Sequence, residues 1–307
     1  MNTEKTYSGV VIPMITPLNK KYQIDDGAVE KLFDRFHNAG VHPFILGTTG
    51  EASSFSISFK KNFLRTAGRI KKPGTTLYAG ISSNCLEESI DLAKLSFEHG
   101  ADVVVSTLPS YYSLSEAAML RYFEQLAEAI PGPMMIYNIP ATTNMSIPLS
   151  VVDRLSHHPR IVGLKDSERS EERLQQSIEL WKERKDFSHL LGWAAKSAVA
   201  LLKGSDGLVP STGNIYPELY SYLYKDALVG NKESAIQYQE LSDELGDLYQ
   251  KGRTLAESLW ALKSVMNSLH LCEAIVMPPL YEGKEEDAEK LKNDLQLIMK
   301  KAAINII

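Results

Sequence analysis

The sequence has almost no cysteine: Cys85 and Cys272 are the only two in 307 residues. Two cysteines in so long a chain make no disulfide framework, and they have no metal-ligand spacing. The chain also lacks any apolar run longer than a strand, so no segment reads as a membrane span. Its first residues, MNTEKTYSG, lack the apolar stretch of a signal peptide, and the expected location is the cytoplasm. Without a secretory signal, the sequon Asn144-Met145-Ser146 reads as a chance match. Positive charge is not in excess either. Lys and Arg number 33 against 38 Asp and Glu, a net charge of -5, and the basic residues fall in short pairs such as Lys60-Lys61. No basic stripe exists to neutralise a phosphate backbone, so nucleic acid is not an expected partner. The seven histidines include no H-E-x-x-H and no other ligand spacing, so no metal is expected.

What is present is a repeat. Short β-rich runs ending in turn residues alternate with longer helical patterns. The runs cover residues 9–16, 43–48, 75–82, 101–108, 133–139, 161–165, 187–192 and 207–211. Several, such as VVVSTL and MMIYNI, are apolar throughout, which suits strands buried on both faces. Between them, DDGAVEKLFDRFHNAG places Val29, Leu32, Phe33 and Phe36 on one helical face and stops at Gly40. LEESIDLAKLSFEHG does the same with Ile90, Ala93, Leu95, Phe97 and Gly100. Pro109 to Tyr137 and Tyr137 to Lys165 are each 28 residues, close to the ~30 per unit of an eight-fold β/α barrel. An open dinucleotide-binding sheet is the alternative, but no G-x-G-x-x-G follows a strand. The expected fold is α/β: a (β/α)8 TIM barrel over 1–228 with a helical extension over 229–307, whose three segments show helical periodicity.

Barrel active sites lie at the C-terminal ends of the strands. The residues found there are Gly47-Thr48-Thr49-Gly50-Glu51, Tyr111-Tyr112, Tyr137-Asn138, Lys165 and the stretch from Gly207 to Gly213. Taken singly, each has a plainer reading. GTTGE is a tight turn, Tyr137 a strand aromatic, Tyr111 and Tyr112 surface rings, and Lys165 a solvated strand end. Together they converge on one end of one barrel. A lysine amine attacks a ketone only when neutral, and desolvation at an apolar barrel mouth favours the neutral form. The iminium that follows is an electron sink, and proton movements then need a hydroxyl relay. Tyr137, Thr48 and Tyr111 supply candidates, and the GTTG backbone offers donors to a carboxylate.

GTTGE, the tyrosine before the fourth helix, YNIP and GLKD, in this order and spacing from about Val11 to Asn214, resemble the dihydrodipicolinate synthase and N-acetylneuraminate lyase family. That resemblance implies a class I pyruvate-type aldolase on a β/α barrel. Lys165 would be its Schiff-base former, Tyr137 its acid/base, and Thr48 with Tyr111 its relay. Tyr111 would be donated across a tight dimer, within a tetramer built as a pair of dimers. Gly47, Thr48 and Thr49 would bind the substrate carboxylate, and Val209 would line the pyruvyl pocket through its backbone. No cofactor beyond the covalent lysine adduct is implied, and the small-molecule partner is a 2-oxo acid, pyruvate.

Two departures bear on the substrate. Where dihydrodipicolinate synthases carry an arginine after Y-N-x-P, this chain has Thr142, and a hydroxyl does not replace a bidentate guanidinium. Where neuraminate lyases place acidic residues after the glycine ending strand seven, Gly192 is followed by Trp193-Ala194-Ala195. The expected activity is a lyase that cleaves or dehydrates a 2-keto-3-deoxy sugar acid. Dihydrodipicolinate synthase with a displaced anchor is the enzymic alternative. A non-catalytic 2-oxo-acid-binding barrel is the alternative of another class.

Overall fold

Eight short parallel strands close into a barrel in strict sequence order: β1 (Gly9–Pro13), β2 (His42–Ile45), β3 (Tyr78–Gly80), β4 (Val103–Ser106), β5 (Met134–Asn138), β6 (Ile161–Asp166), β7 (Ser188–Leu191) and β8 (Gly207–Leu208). The computed structural model describes residues 5–302, 304 and 306. The first four residues of the MNTEKTYSG segment, and part of the end of the 229–307 stretch, lie outside the described residues. The TIM barrel and the helical C-terminal tail expected from the sequence are both present.

Several helices begin where a short polar side chain accepts an exposed backbone N–H. Asp25 caps α1 (Asp26–Ala39), Ser56 caps α2 (Ile57–Ile70), Ser115 caps α4 (Glu116–Ala129) and Ser170 caps α7 (Glu171–Trp181). Helix α1 buries Val29, Leu32, Phe33 and Phe36 as its periodicity predicts, and Gly40 ends it in the left-handed conformation at φ 70°. Helix α3 (Leu86–Glu98) departs from expectation. Its buried stripe is Ser89, Leu92, Ala93 and Ser96, while Ile90, Leu95 and Phe97 lie half-buried along its flanks. Small side chains hold the central line because Ser96 satisfies its hydroxyl internally, donating to the Leu92 carbonyl at 2.6 Å. Short helices α5 (Pro140–Thr143), α6 (Leu149–Leu155) and α8 (Ser197–Leu202) complete the ring, and α9 (Pro217–Leu228) follows the last strand.

The tail is three helices, α10 (Lys232–Gln250), α11 (Leu255–Ser268) and α12 (Glu285–Ala302). Helix α10 packs on α8 and α9, and α11 and α12 pack on α10. No helix among the described residues is long and apolar enough to cross a membrane.

Two apolar clusters follow from strand parity, because successive side chains point to opposite faces of a strand. Met134, Ile136 and Leu164 point outward into the large cluster beneath the helices. Phe44, Met135, Tyr137, Leu190 and Val209 point inward and fill the barrel. Residues 137 and 165 are paired across β5 and β6, as are residues 138 and 166.

Candidate active site

The paired dipeptides Tyr137-Asn138 and Lys165-Asp166 each divide their labour by parity. Tyr137 and Lys165 face the barrel interior and are 5% and 4% exposed. Asn138 and Asp166 face outward and form a polar lock. Asn138 Nδ2 donates to Asp166 Oδ1 at 2.9 Å and to Glu168 Oε2 at 2.9 Å, and its Oδ1 accepts from the Ile147 N–H at 3.0 Å. Arg173 on α7 donates through Nε to Asp166 Oδ2 at 2.6 Å. The lock fixes the ends of two strands from outside, and the inward pair inherits that rigidity. Lys165 does not end its strand, as the sequence suggested; β6 continues through Asp166, and residue 165 is paired on both sides.

The Lys165 amine lies over two ring faces, 3.6 Å from the Tyr137 centroid and 4.8 Å from the Phe44 centroid. Burial pushes the Lys165 ammonium below its ordinary range, more than the Tyr137 phenol pulls it back. Burial alone would raise the Tyr137 phenol. The Lys165 charge, helped by hydrogen bonds with Thr48, Lys165 and Ser167, reverses that, and the net direction is downward. The two groups are coupled: burial favours the neutral amine, while whatever ammonium is present favours ionisation of the phenol.

Thr48 stands 3.5 Å from the Tyr137 hydroxyl, Oγ1 to Oη. It comes not from a strand end but from a turn, because β2 stops at Ile45 and Leu46 takes a left-handed φ of 55°. Glycine at position 80 permits this: a Cβ there would fall 1.9 Å from the Leu46 carbonyl oxygen. Within the turn, the Glu51 N–H donates to the Thr48 carbonyl and the Ala52 N–H to the Gly47 carbonyl. The N–H groups of Thr48 and Thr49 donate to no protein acceptor among the described residues. They are the donors a carboxylate would use.

A cleft of about 160 Å³ opens beside Tyr137, with Gly47, Thr48, Tyr137 and Thr142 in its wall; Lys165 lies behind Tyr137 and is not part of that wall. Thr49 is half-buried just beyond it. Val209 is inside the barrel, in the same apolar cluster as Phe44 and Tyr137, and its N–H is already donated to the Leu191 carbonyl at 2.7 Å. Trp193 is not in the cleft wall: its ring packs on the outer cluster, with the Lys196 amine 5.5 Å from its centroid. Tyr111 is 78% exposed, outside the cleft, and forms an edge-to-face pair with Tyr112. Among the described residues no group of three or more His, Cys, Asp or Glu side chains is placed to hold a metal.

Three features escaped the sequence reading. Ser167 helps to lower the Tyr137 pKa, and Gly192 makes room for its side chain, since a Cβ at 192 would fall 2.1 Å from Ser167 Oγ. The signal was present: Ser167 is two residues beyond Lys165 and shares its parity. Phe44 supplies the second ring against the amine. Glu51, the acid of GTTGE, is not turned toward substrate. Its buried carboxylate pairs with Lys263 of α11 at 2.5 Å and accepts from the Met277 N–H at 2.7 Å. The signal here was a lysine inside the apolar stripe of LWALKSVM.

Residues 6–298 match the model of the dihydrodipicolinate synthetase family. A DapA-like lyase of Thermococcus onnurineus, itself uncharacterized, is 33% identical over 95% of this chain and 99% of its own length. A dihydrodipicolinate synthase of Bacteroides thetaiotaomicron superposes with a TM-score of 0.91 at 30% identity, over 96% of this chain and all of its own. YagE, a prophage protein of that family from E. coli K12 solved with pyruvate, superposes with a TM-score of 0.90 at 28% identity, over 95% of this chain and 99% of its own. The chain belongs to the dihydrodipicolinate synthetase family and is a lyase of that family. Its enzymes work through a lysine–pyruvate Schiff base without a metal or external cofactor.

Proposed function

We propose that this member of the dihydrodipicolinate synthetase family cleaves or dehydrates a 2-keto-3-deoxy sugar acid through a Schiff base on Lys165, with pyruvate as product or donor. The observation that carries the reading is the buried Lys165 amine held 3.6 Å from the Tyr137 ring centroid. In the cleavage direction, the neutral amine adds to the C2 ketone and water leaves, forming an iminium. Tyr137 takes the proton of the C4 hydroxyl. The C3–C4 bond breaks, its electron pair passes into the enamine, and an aldehyde departs. Protonation at C3 and hydrolysis then release pyruvate and restore the amine. The free N–H groups of Thr48 and Thr49 hold the carboxylate, and Thr48 passes protons to and from Tyr137.

The exposure of Tyr111 supports a place for it in the relay of a second copy of the chain, within a dimer of dimers. Thr142 in the cleft wall, where a second carboxylate would need a guanidinium, favours this reading over condensation of pyruvate with aspartate semialdehyde. A barrel that only bound 2-oxo acids would have no use for a hydroxyl relay on a buried amine.

Borohydride trapping with pyruvate, followed by peptide mass spectrometry, is the test. A reduced pyruvyl adduct on Lys165 is the expected result. A folded protein that binds pyruvate without forming an adduct would be a binding barrel, and the proposal would fail.

A further inference from the structure

Glu51 lies in the same turn as Thr48 and Thr49 and is 3% exposed. Its carboxylate is buried against a cation: Oε1 meets the Lys263 amine at 2.5 Å, and Oε2 accepts from the Met277 N–H at 2.7 Å. Lys263, fully buried on α11, also donates to the Ile275 carbonyl at 2.7 Å. A buried ion pair adds little net stability over a packed apolar pair of the same volume, because desolvating two charges offsets their attraction. What a hydrogen-bonded charge pair does supply is direction, since only a narrow range of geometries meets every partner.

Direction matters here because of the peptide planes of the turn. Each peptide in it is planar and trans, so the C=O of one residue and the N–H of the next point opposite ways. The Gly47 carbonyl shares a plane with the Thr48 N–H, and the Thr48 carbonyl shares one with the Thr49 N–H. Both carbonyls are held. That of Gly47 accepts from the Ala52 N–H at 3.2 Å, and that of Thr48 accepts from the Glu51 N–H at 3.1 Å. Those two N–H groups flank the Glu51 Cα, so fixing Glu51 fixes both planes. Its φ of 59° is left-handed, which a residue with a side chain does not favour by itself. The anchored carboxylate holds it there. On the near side, the Gly50 carbonyl accepts from Thr16 Oγ1 at 2.7 Å.

We infer that Glu51, held by Lys263 of α11, is a positioning residue for the substrate carboxylate: through the two peptide planes it anchors, it aims the N–H groups of Thr48 and Thr49. The inference rests on the reading above, in which those N–H groups hold the carboxylate. It adds a residue that touches no substrate and a partner from the helical tail.

The test is the rate of borohydride-trapped adduct formation against pyruvate concentration, in the full-length parent and in variants. Glu51→Gln keeps the volume and an acceptor for the Met277 N–H. It should raise the half-saturating concentration at least ~10-fold, the scale of one weakened hydrogen bond to a charged group, and leave the limiting rate within about twofold. The double variant Glu51→Gln with Lys263→Met separates positioning from stability. It removes both charges, so it should be more stable than Lys263→Met alone, yet keep the raised half-saturating concentration, because methionine gives the carboxamide no direction. An unchanged half-saturating concentration in Glu51→Gln overturns the inference, as does a limiting rate that falls as far as that concentration rises. A double variant that regains the parent's half-saturating concentration along with stability overturns it too, and leaves Glu51 a structural residue only. A parent that forms no adduct sinks the Schiff-base reading instead. The same variants are then compared by calorimetric affinity for pyruvate, where an equal affinity overturns the inference and a ~10-fold loss in Glu51→Gln upholds it.

Discussion

Lys165 and Tyr137 are register partners on adjacent strands, and the lysine amine lies 3.6 Å from the centroid of the tyrosine ring. The contact does two things at once. The ring stabilises what ammonium remains, and the ammonium makes the phenol easier to ionise. Each group shifts the ionisation of the other, inside a barrel that excludes most water from both.

Removing either partner should therefore be visible in turnover before it is visible in folding. Lys165→Ala is expected to abolish turnover and the pyruvate adduct, with an unchanged circular-dichroism spectrum. Tyr137→Phe should lower kcat by roughly 10²- to 10⁴-fold, the scale of a lost acid/base group. An unchanged kcat in Tyr137→Phe removes the phenol from the proton path.

The rate of adduct formation should depend on pH through Lys165. Burial lowers its pKa, so the amine becomes neutral at a pH below that of an ordinary lysine. The rate should rise with pH and level off, with a midpoint below 10.5. A midpoint at or above that value would mean that the ammonium is not destabilised by its setting.

Glu51 and Lys263 join the GTTGE turn to the helical tail by a fully buried ion pair. Lys263 also donates to the Ile275 carbonyl at 2.7 Å, so the pair anchors the segment between α11 and α12. Lys263→Met leaves a buried carboxylate without its counter-charge and should cost about 3–5 kcal/mol in denaturant unfolding. The double variant with Glu51→Gln should recover part of that loss. Equal stability of Lys263→Met and the parent would show that the turn does not depend on the tail.

His189 on β7 should make stability depend on pH. Burial, reinforced by Arg173 and Lys5 and opposed by Asp166, pushes its pKa down to about 4. Its Nδ1 meets Ser205 Oγ at 3.0 Å, and its buried Nε2 has no hydrogen-bond partner among the described residues. Between the ordinary imidazole value of 6.5 and about 4, the unfolded chain binds a proton that the folded chain does not. Stability from this group is present above 6.5 and falls as pH drops, by about 3 kcal/mol in all. His189→Gln should flatten that part of the stability–pH curve, and a parallel curve would assign the acid sensitivity elsewhere.

The sequence by itself determined the eight-fold repeat, the helical tail and the identity of the chemical groups. The signals were local: apolar runs of strand length, capping residues, and a 28-residue spacing that brings Tyr137 and Lys165 to neighbouring strands. What only the tertiary structure decided was direction. MMIYN and IVGLKD are apolar enough on both faces that neither shows which residues look inward. Closure of the barrel sets that parity, sending Tyr137 and Lys165 into the interior and Asn138 and Asp166 out to Arg173. The same holds for GTTGE. Its threonines and its glutamate are adjacent in the chain, yet the left-handed turns at Leu46 and Glu51 aim them apart, Thr48 toward Tyr137 and Glu51 toward a lysine 212 residues away. No local pattern encodes that partnership, because the energy that selects it is a contact between segments that meet only in the folded protein.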